Sequence, residues 1–221
     1  MIETILEYIA KFLALIVVLP GHEFAHGYAA VKCGDMTPKL YRRYTLNPLA
    51  HFDLMGLCCF MFAGFGWAKP MPVNPNNFNH YKRGCFFVSI AGVLANYLLA
   101  FIAYPLMILV LLYVPVFGYY THVLFAALSN IFSYSLVFFI FNLLPIYPLD
   151  GFRIVDVFSK KRSKIYWFLR NYGVYILYAL FALSIVADIT GVYQIDILGN
   201  FLMIVSSFIG IPIYKFWGLI F

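Results

Sequence analysis

The chain has 221 residues, of which 64% are hydrophobic and 11% charged, with a mean hydropathy of +0.87. Soluble domains carry about 25% charged residues, so these values exclude a sizeable soluble domain and imply an all-α polytopic membrane protein. The net charge of +6 is read as a topological signal, and nucleic acid is not an expected partner.

The first apolar segment is predicted over Ile2–Lys32. A helix of this length overfills a hydrocarbon core of about 30 Å at about 1.5 Å per residue. Gly21-His22-Glu23-Phe24-Ala25-His26 therefore falls in its second half. Pro20, just before the motif, removes one backbone hydrogen bond. A kink that opens a wet space and an ordinary membrane proline stay open as readings. A cleavable signal peptide is not expected, because a basic n-region is lacking and Glu3 and Glu7 are acidic. Residues 33–52 are polar and basic, and a small β-hairpin-like element is expected after the first helix.

Residues 53–66 are apolar but shorter than the ~17–25 residues of a spanning helix, which predicts a short re-entrant or membrane-surface segment. The next stretch, 67–75, holds prolines at 70, 72 and 75 and should be extended. Further spans are predicted at Phe86–Tyr113, Val123–Leu144, Ile165–Val186 and Ile197–Tyr214, giving about five transmembrane helices. The connection Val114–His122 has no Lys or Arg, whereas 145–164 is charged and ends in the basic run 160–164. Cys33, Cys58, Cys59 and Cys85 form no C-x-x-C pair and are expected as free thiols.

With the N-terminus outside, every Lys and Arg except Lys11 falls on the cytoplasmic side, and Glu3, Glu7, Asp188 and Asp196 fall outside. The positive-inside rule supports that orientation. It places the histidines in the cytoplasmic half of the first span.

Ionisable residues inside a membrane helix cost roughly 2.5–3.5 kcal/mol each on insertion scales and mark function. His22 and His26 stand one turn apart on one face, so both reach one cation. Glu23 lies about 100° round the axis, close enough to meet a metal-bound water. This is the H-E-x-x-H signature. Catalytic zinc takes three protein ligands. Asp150, at the cytoplasmic end of the third span, is the leading candidate for the third, and Asp53 is the weaker one.

The chain resembles the site-2 proteases, intramembrane zinc metalloproteases that cut transmembrane substrates. His22-Glu-Phe-Ala-His26 matches their first motif, and Asn142-Leu-Leu-Pro…Leu149-Asp150-Gly151 their second. Gly66-Trp-Ala-Lys-Pro-Met-Pro-Val-Asn-Pro75 and Ala91-Gly92-Val93-Leu94-Ala95-Asn96 are similar to stretches of the compact members without a PDZ domain, with Val93 where those usually have proline. The resemblance covers residues 10–155. It implies one zinc held by His22, His26 and Asp150, with Glu23 as acid/base. It also implies a transmembrane protein substrate in a bacterial inner membrane, with the active site toward the cytoplasm. Residues 1–155 would form the protease core and 156–221 an accessory helical pair in the same membrane domain. An extended substrate could add to a strand-like edge in 67–75 or 33–50. Asn142, and less so Asn96, are candidate amide partners for substrate or oxyanion.

Blander readings stand beside these. Asn96 with Gly92 fits small-x-x-x-small helix packing better than catalysis. His51, His80 and His122 read as interfacial or loop residues, and the 160–164 run as a topological or headgroup contact. The rival functions are a metal or ion carrier and a proteolytically inactive zinc-binding protein. A carrier does not need a base beside its ligands, and structural zinc is usually closed by four ligands. A homo-oligomer or a regulatory membrane partner stays open.

Overall fold

The computed structural model describes residues 2–114, 119–159 and 162–221. Parts of two sequence features therefore lie outside the described residues: 115–118 of the Val114–His122 connection, and Lys160 and Lys161 of the basic run. The long apolar stretches became helices with little change of boundary. α1 is Ile2–Lys32 and runs unbroken through Pro20. Two single-turn helices follow, α2 (Thr37–Leu40) and α3 (Pro48–His51), each with proline in its first turn. There the missing N–H costs nothing.

The segment at 53–66 is a ten-residue helix, α4 (Leu54–Ala63). The Asp53 carboxylate accepts the Gly56 N–H at its start, and Gly64 ends it with a φ of +74°. A left-handed residue there favours glycine. Asp53 is thus a helix cap, which removes it as the alternative third ligand. At about 1.5 Å per residue α4 is ~15 Å long, half of a bilayer core.

α5 is Tyr81–Tyr113 and α6 is Tyr119–Leu143. α7 (Asp150–Phe158) is short and begins at the predicted ligand. α8 (Lys164–Thr190) and α9 (Ile197–Trp217) complete the described chain. α5 starts five residues before its predicted apolar edge, because Lys82 and Arg83 are tolerated in a helix that emerges from an apolar layer. Four of these helices are long and apolar enough to cross a membrane among the described residues: α5, residues 121–143, α8 and α9. α1 is not one of the four; it carries Glu3, Glu7, Lys11, Glu23 and Lys32 along its length. Lys11, the misfit of the charge pattern, lies over the Tyr8 ring at 5.5 Å.

α1, α5 and α6 pack on one another and form the centre. Small buried residues, Ala10, Ala14 and Ala30 on α1 and Ala100 and Ala103 on α5, allow close approach. Ile213 of α9 joins Ala100, Ala103, Phe132 and Leu136 in one apolar cluster. Leu198 and Leu202 join Ile140 in another. Outer faces of α5, α8 and α9 expose residues such as Leu98, Tyr175 and Met203, as lipid-facing helices do.

The expected β-hairpin-like element is absent among the described residues. One antiparallel bridge, Phe52 with Ala68, stands in its place. The polar 33–52 stretch instead forms short helices around a buried His51, whose Nε2 lies 2.7 Å from the Thr45 carbonyl. His51 is therefore a core residue rather than an interfacial one. The proline-rich stretch is a non-helical strap over 67–74. It is tied by the Lys69 N–H to the His51 carbonyl, by Arg43 to the Lys69 carbonyl, and by the Asn74 N–H to the Asp35 carboxylate.

Candidate metal centre

His22 and His26 are both buried on α1 and point at α5 and α7. Their Nε2 atoms lie 3.0 Å apart. Asp150 Oδ2 lies 3.3 Å from His22 Nε2 and 3.0 Å from His26 Nε2. The three predicted ligands thus meet although Asp150 lies 124 residues beyond His26, and form a metal-sized His/Cys/Asp/Glu group among the described residues.

The triangle fits a cation. Nitrogen and oxygen ligands at about 2.0–2.1 Å in tetrahedral geometry stand roughly 3.3 Å from one another. The observed edges of 3.0, 3.0 and 3.3 Å are close to that. Asp150 Oδ2 is buried and makes no aligned hydrogen bond to either ring. A buried carboxylate oxygen without a donor costs about 1–3 kcal/mol or more, and a shared cation would remove that cost. Two neutral nitrogens and a carboxylate suit zinc.

The ring orientations are set from behind. His26 Nδ1–H donates to the Val88 carbonyl of α5 at 2.7 Å, which directs Nε2 toward the triangle. His22 Nδ1 lies 3.1 Å from the side-chain nitrogen of Asn96, also on α5. Gly92 lies between them. A Cβ there would collide with His26 Nε2 and Cε1 and with His22 Cε1. Residues 88, 92 and 96 recur every four positions, so one stripe of α5 backs both histidines, themselves four apart on α1.

Glu23 faces the same cleft, and its Oε2 accepts the Met71 N–H of the strap at 2.6 Å. Asn142 lines the cleft from α6 and donates to the Phe138 carbonyl at 3.1 Å. Asn96 does not line it; its amide is 1% exposed and spent on His22. Its place is thus behind His22, on the α5 stripe that packs against the histidines of α1. The cleft holds about 240 Å³ and includes Trp67, Met71 and Pro148 in its wall. Arg153 Nη1 stands 3.8 Å from Asp150 Oδ1 at its edge.

Sequence reasoning missed the Val88 carbonyl and the Met71 N–H, and read Gly92 as a helix-packing position without naming the histidines as what it packs against. Backbone groups leave no residue-type signal. The four-residue step from Gly92 to Asn96, matching that from His22 to His26, was the one signal present.

The chain is similar to a curated bacterial protein. Over 145 residues the chain is 43% identical to a protein of Bacillus subtilis (strain 168) named "Putative zinc metalloprotease YwhC". The match takes in 65% of this chain and 66% of the other, so the chain spans just under two thirds of that relative's length. No family model and no solved structure matches.

Proposed function

We propose that this chain is an intramembrane zinc endopeptidase of the site-2 type. On this reading it hydrolyses peptide bonds in or near transmembrane segments of other membrane proteins. The observation that carries the reading is the convergence of His22 Nε2, His26 Nε2 and Asp150 Oδ2 with a carboxylate, Glu23, in the same cleft. His22, His26 and Asp150 would hold the ion. When bound, zinc polarises a scissile carbonyl and makes water nucleophilic at neutral pH.

The chain's own groups supply the rest. Glu23 takes the proton as attack proceeds and returns it to the leaving amine. The Met71 N–H holds the Glu23 carboxylate in the cleft through Oε2. Asn142 also lines the cleft, where an amide can meet a substrate carbonyl. A helix of about 10–12 Å diameter does not fit a cleft of about 240 Å³. The substrate must therefore be extended at the bond that is cut. A larger apolar crevice of about 600 Å³ shares Gly66, Phe138 and Phe141 with the cleft, which supports access from the lipid side.

In this reading α1 is a fifth span, α4 dips into the bilayer or lies on its surface, and the centre faces the cytoplasm of a bacterial cell. A Glu23→Gln variant tests the chemistry. Zinc should stay at one per chain while cleavage of a membrane-embedded substrate falls by at least about 10²-fold, the low end for a general acid/base. Undiminished cleavage would exclude Glu23 as the base. Undiminished cleavage in a metal-stripped preparation would remove zinc from the reaction.

A further inference from the structure

Asn96 sits deep in the three-helix centre, and its surroundings define a task. Its side-chain nitrogen is placed 3.1 Å from His22 Nδ1, while its own Oδ1 is buried and without a partner. Taken literally, that arrangement makes His22 Nδ1 an acceptor. The ring proton then sits on Nε2, aimed at His26 Nε2 and Asp150 Oδ2, 3.0 and 3.3 Å away. A protonated Nε2 has no lone pair for a cation.

The two ends of an amide have nearly the same shape and differ in their hydrogens, so the surrounding network decides which end faces the ring. Reversed, the Asn96 carbonyl accepts the Nδ1–H of His22, and an otherwise unpartnered carbonyl gains a donor. His22 then has the same tautomer as His26, whose Nδ1–H is already taken by the Val88 carbonyl. Both Nε2 lone pairs face Asp150. Acceptors behind ligand imidazoles fix the tautomer and orient the ring, and their loss typically lowers metal affinity 10–100-fold.

We propose that Asn96 is the positioning residue of His22: its side-chain carbonyl holds the Nδ1–H and so presents Nε2 as a ligand. This rests on the zinc reading above. It differs from the assignment of Asn96 to substrate, because Asn96 reaches no surface of the cleft.

The test uses the whole chain in detergent, with zinc itself as the probe and a chelator as competitor. Asn96→Leu keeps the shape and removes the acceptor. Asn96→Asp keeps an acceptor. The expected result is a 10–100-fold weaker hold on zinc in Asn96→Leu and a wild-type or tighter hold in Asn96→Asp. Helical circular dichroism of the metal-free forms checks that each variant still folds. In a His22→Ala background, Asn96→Leu should cause no further loss, since the ring it orients is gone. Wild-type affinity in Asn96→Leu overturns the proposal. So does equal loss in both Asn96 variants, or a loss that adds in full to His22→Ala, since either marks plain packing. A wild-type chain that takes up no zinc would instead remove the metal reading itself.

Discussion

Gly92 is the residue on which the close meeting of α1 and α5 depends. In an ordinary helix interior, Gly→Ala stabilises by about 1 kcal/mol. Here the added methyl would overlap both imidazoles, and overpacking costs roughly 1–3 kcal/mol. The overlap outweighs the propensity, so Gly92→Ala should lower the unfolding temperature and weaken zinc binding together. A more stable variant with full zinc would show that the helices do not approach this closely. Asp150→Ala is the complementary case. It removes one corner of the triangle, and zinc per chain should fall toward zero in metal analysis while the helical circular dichroism is kept. The spacing of His22, Glu23 and His26 made their joint use legible, whereas Asp150 shared its candidacy with Asp53 until the fold showed Asp53 to be a helix cap. The role of Asn96 was not legible, since an amide serves packing, substrate and second-layer support alike.

Among the elements, the strap over 67–74 is the one with least intrinsic structure and most external ties. It has no helix or ladder of its own, so its position depends on Glu23, Arg43, His51 and Asp35. Asp35 is fully buried and accepts from the Thr37 N–H and hydroxyl, the Asn74 N–H and the Asn77 amide. Burial pushes its carboxyl up, but those donors override burial and hold it below the ordinary carboxylate value of 3.8. A depressed folded pKa means that the stabilisation is fully present above the unfolded value of about 3.9 and is lost as pH falls through the lower folded value. Asp35→Asn should therefore loosen the strap at neutral pH by about 2 kcal/mol, the scale of one hydrogen bond to a charged group. Limited proteolysis should cut the variant faster within 67–77 at pH 7. The difference from wild type should shrink as pH drops below 3.8. A difference that does not change with pH would assign the effect to shape rather than charge.

At the scale of the whole molecule, the charge pattern and the site geometry make a joint claim about sidedness. The cleft is built from the second half of α1, the strap and the start of α7. Lys39, Arg43, Lys69 and Arg153 are in or next to the loops and short helices at that end. If that end faces the cytoplasm, Asp188 near the end of α8 faces outward and Lys215 near the end of α9 faces inward. In a variant lacking Cys33, Cys58, Cys59 and Cys85, Asp188→Cys should react with a membrane-impermeant thiol reagent in intact cells. Lys215→Cys should react only after the membrane is opened. The reverse pattern would turn the protein over and put the centre on the other side.

What the sequence by itself determined was local or compositional. Apolar length placed α1, α5, α6, α8 and α9, because a helix in lipid satisfies its own backbone and needs no partner to be recognised. The step of four between His22 and His26 placed both on one face, because the helical repeat is local geometry. What only the tertiary structure decided lies between residues far apart in the chain. His26 with Val88 spans 62 positions, His22 with Asn96 spans 74, and Glu23 with Met71 spans 48. Two of those three contacts use a backbone N–H or carbonyl, which every residue carries and no sequence pattern can mark. The polar 33–52 stretch shows the same limit. Short helices and a buried histidine replaced the expected hairpin, because its shape follows from its ties to the strap beside it, such as Arg43 to the Lys69 carbonyl and Asp35 to the Asn74 N–H.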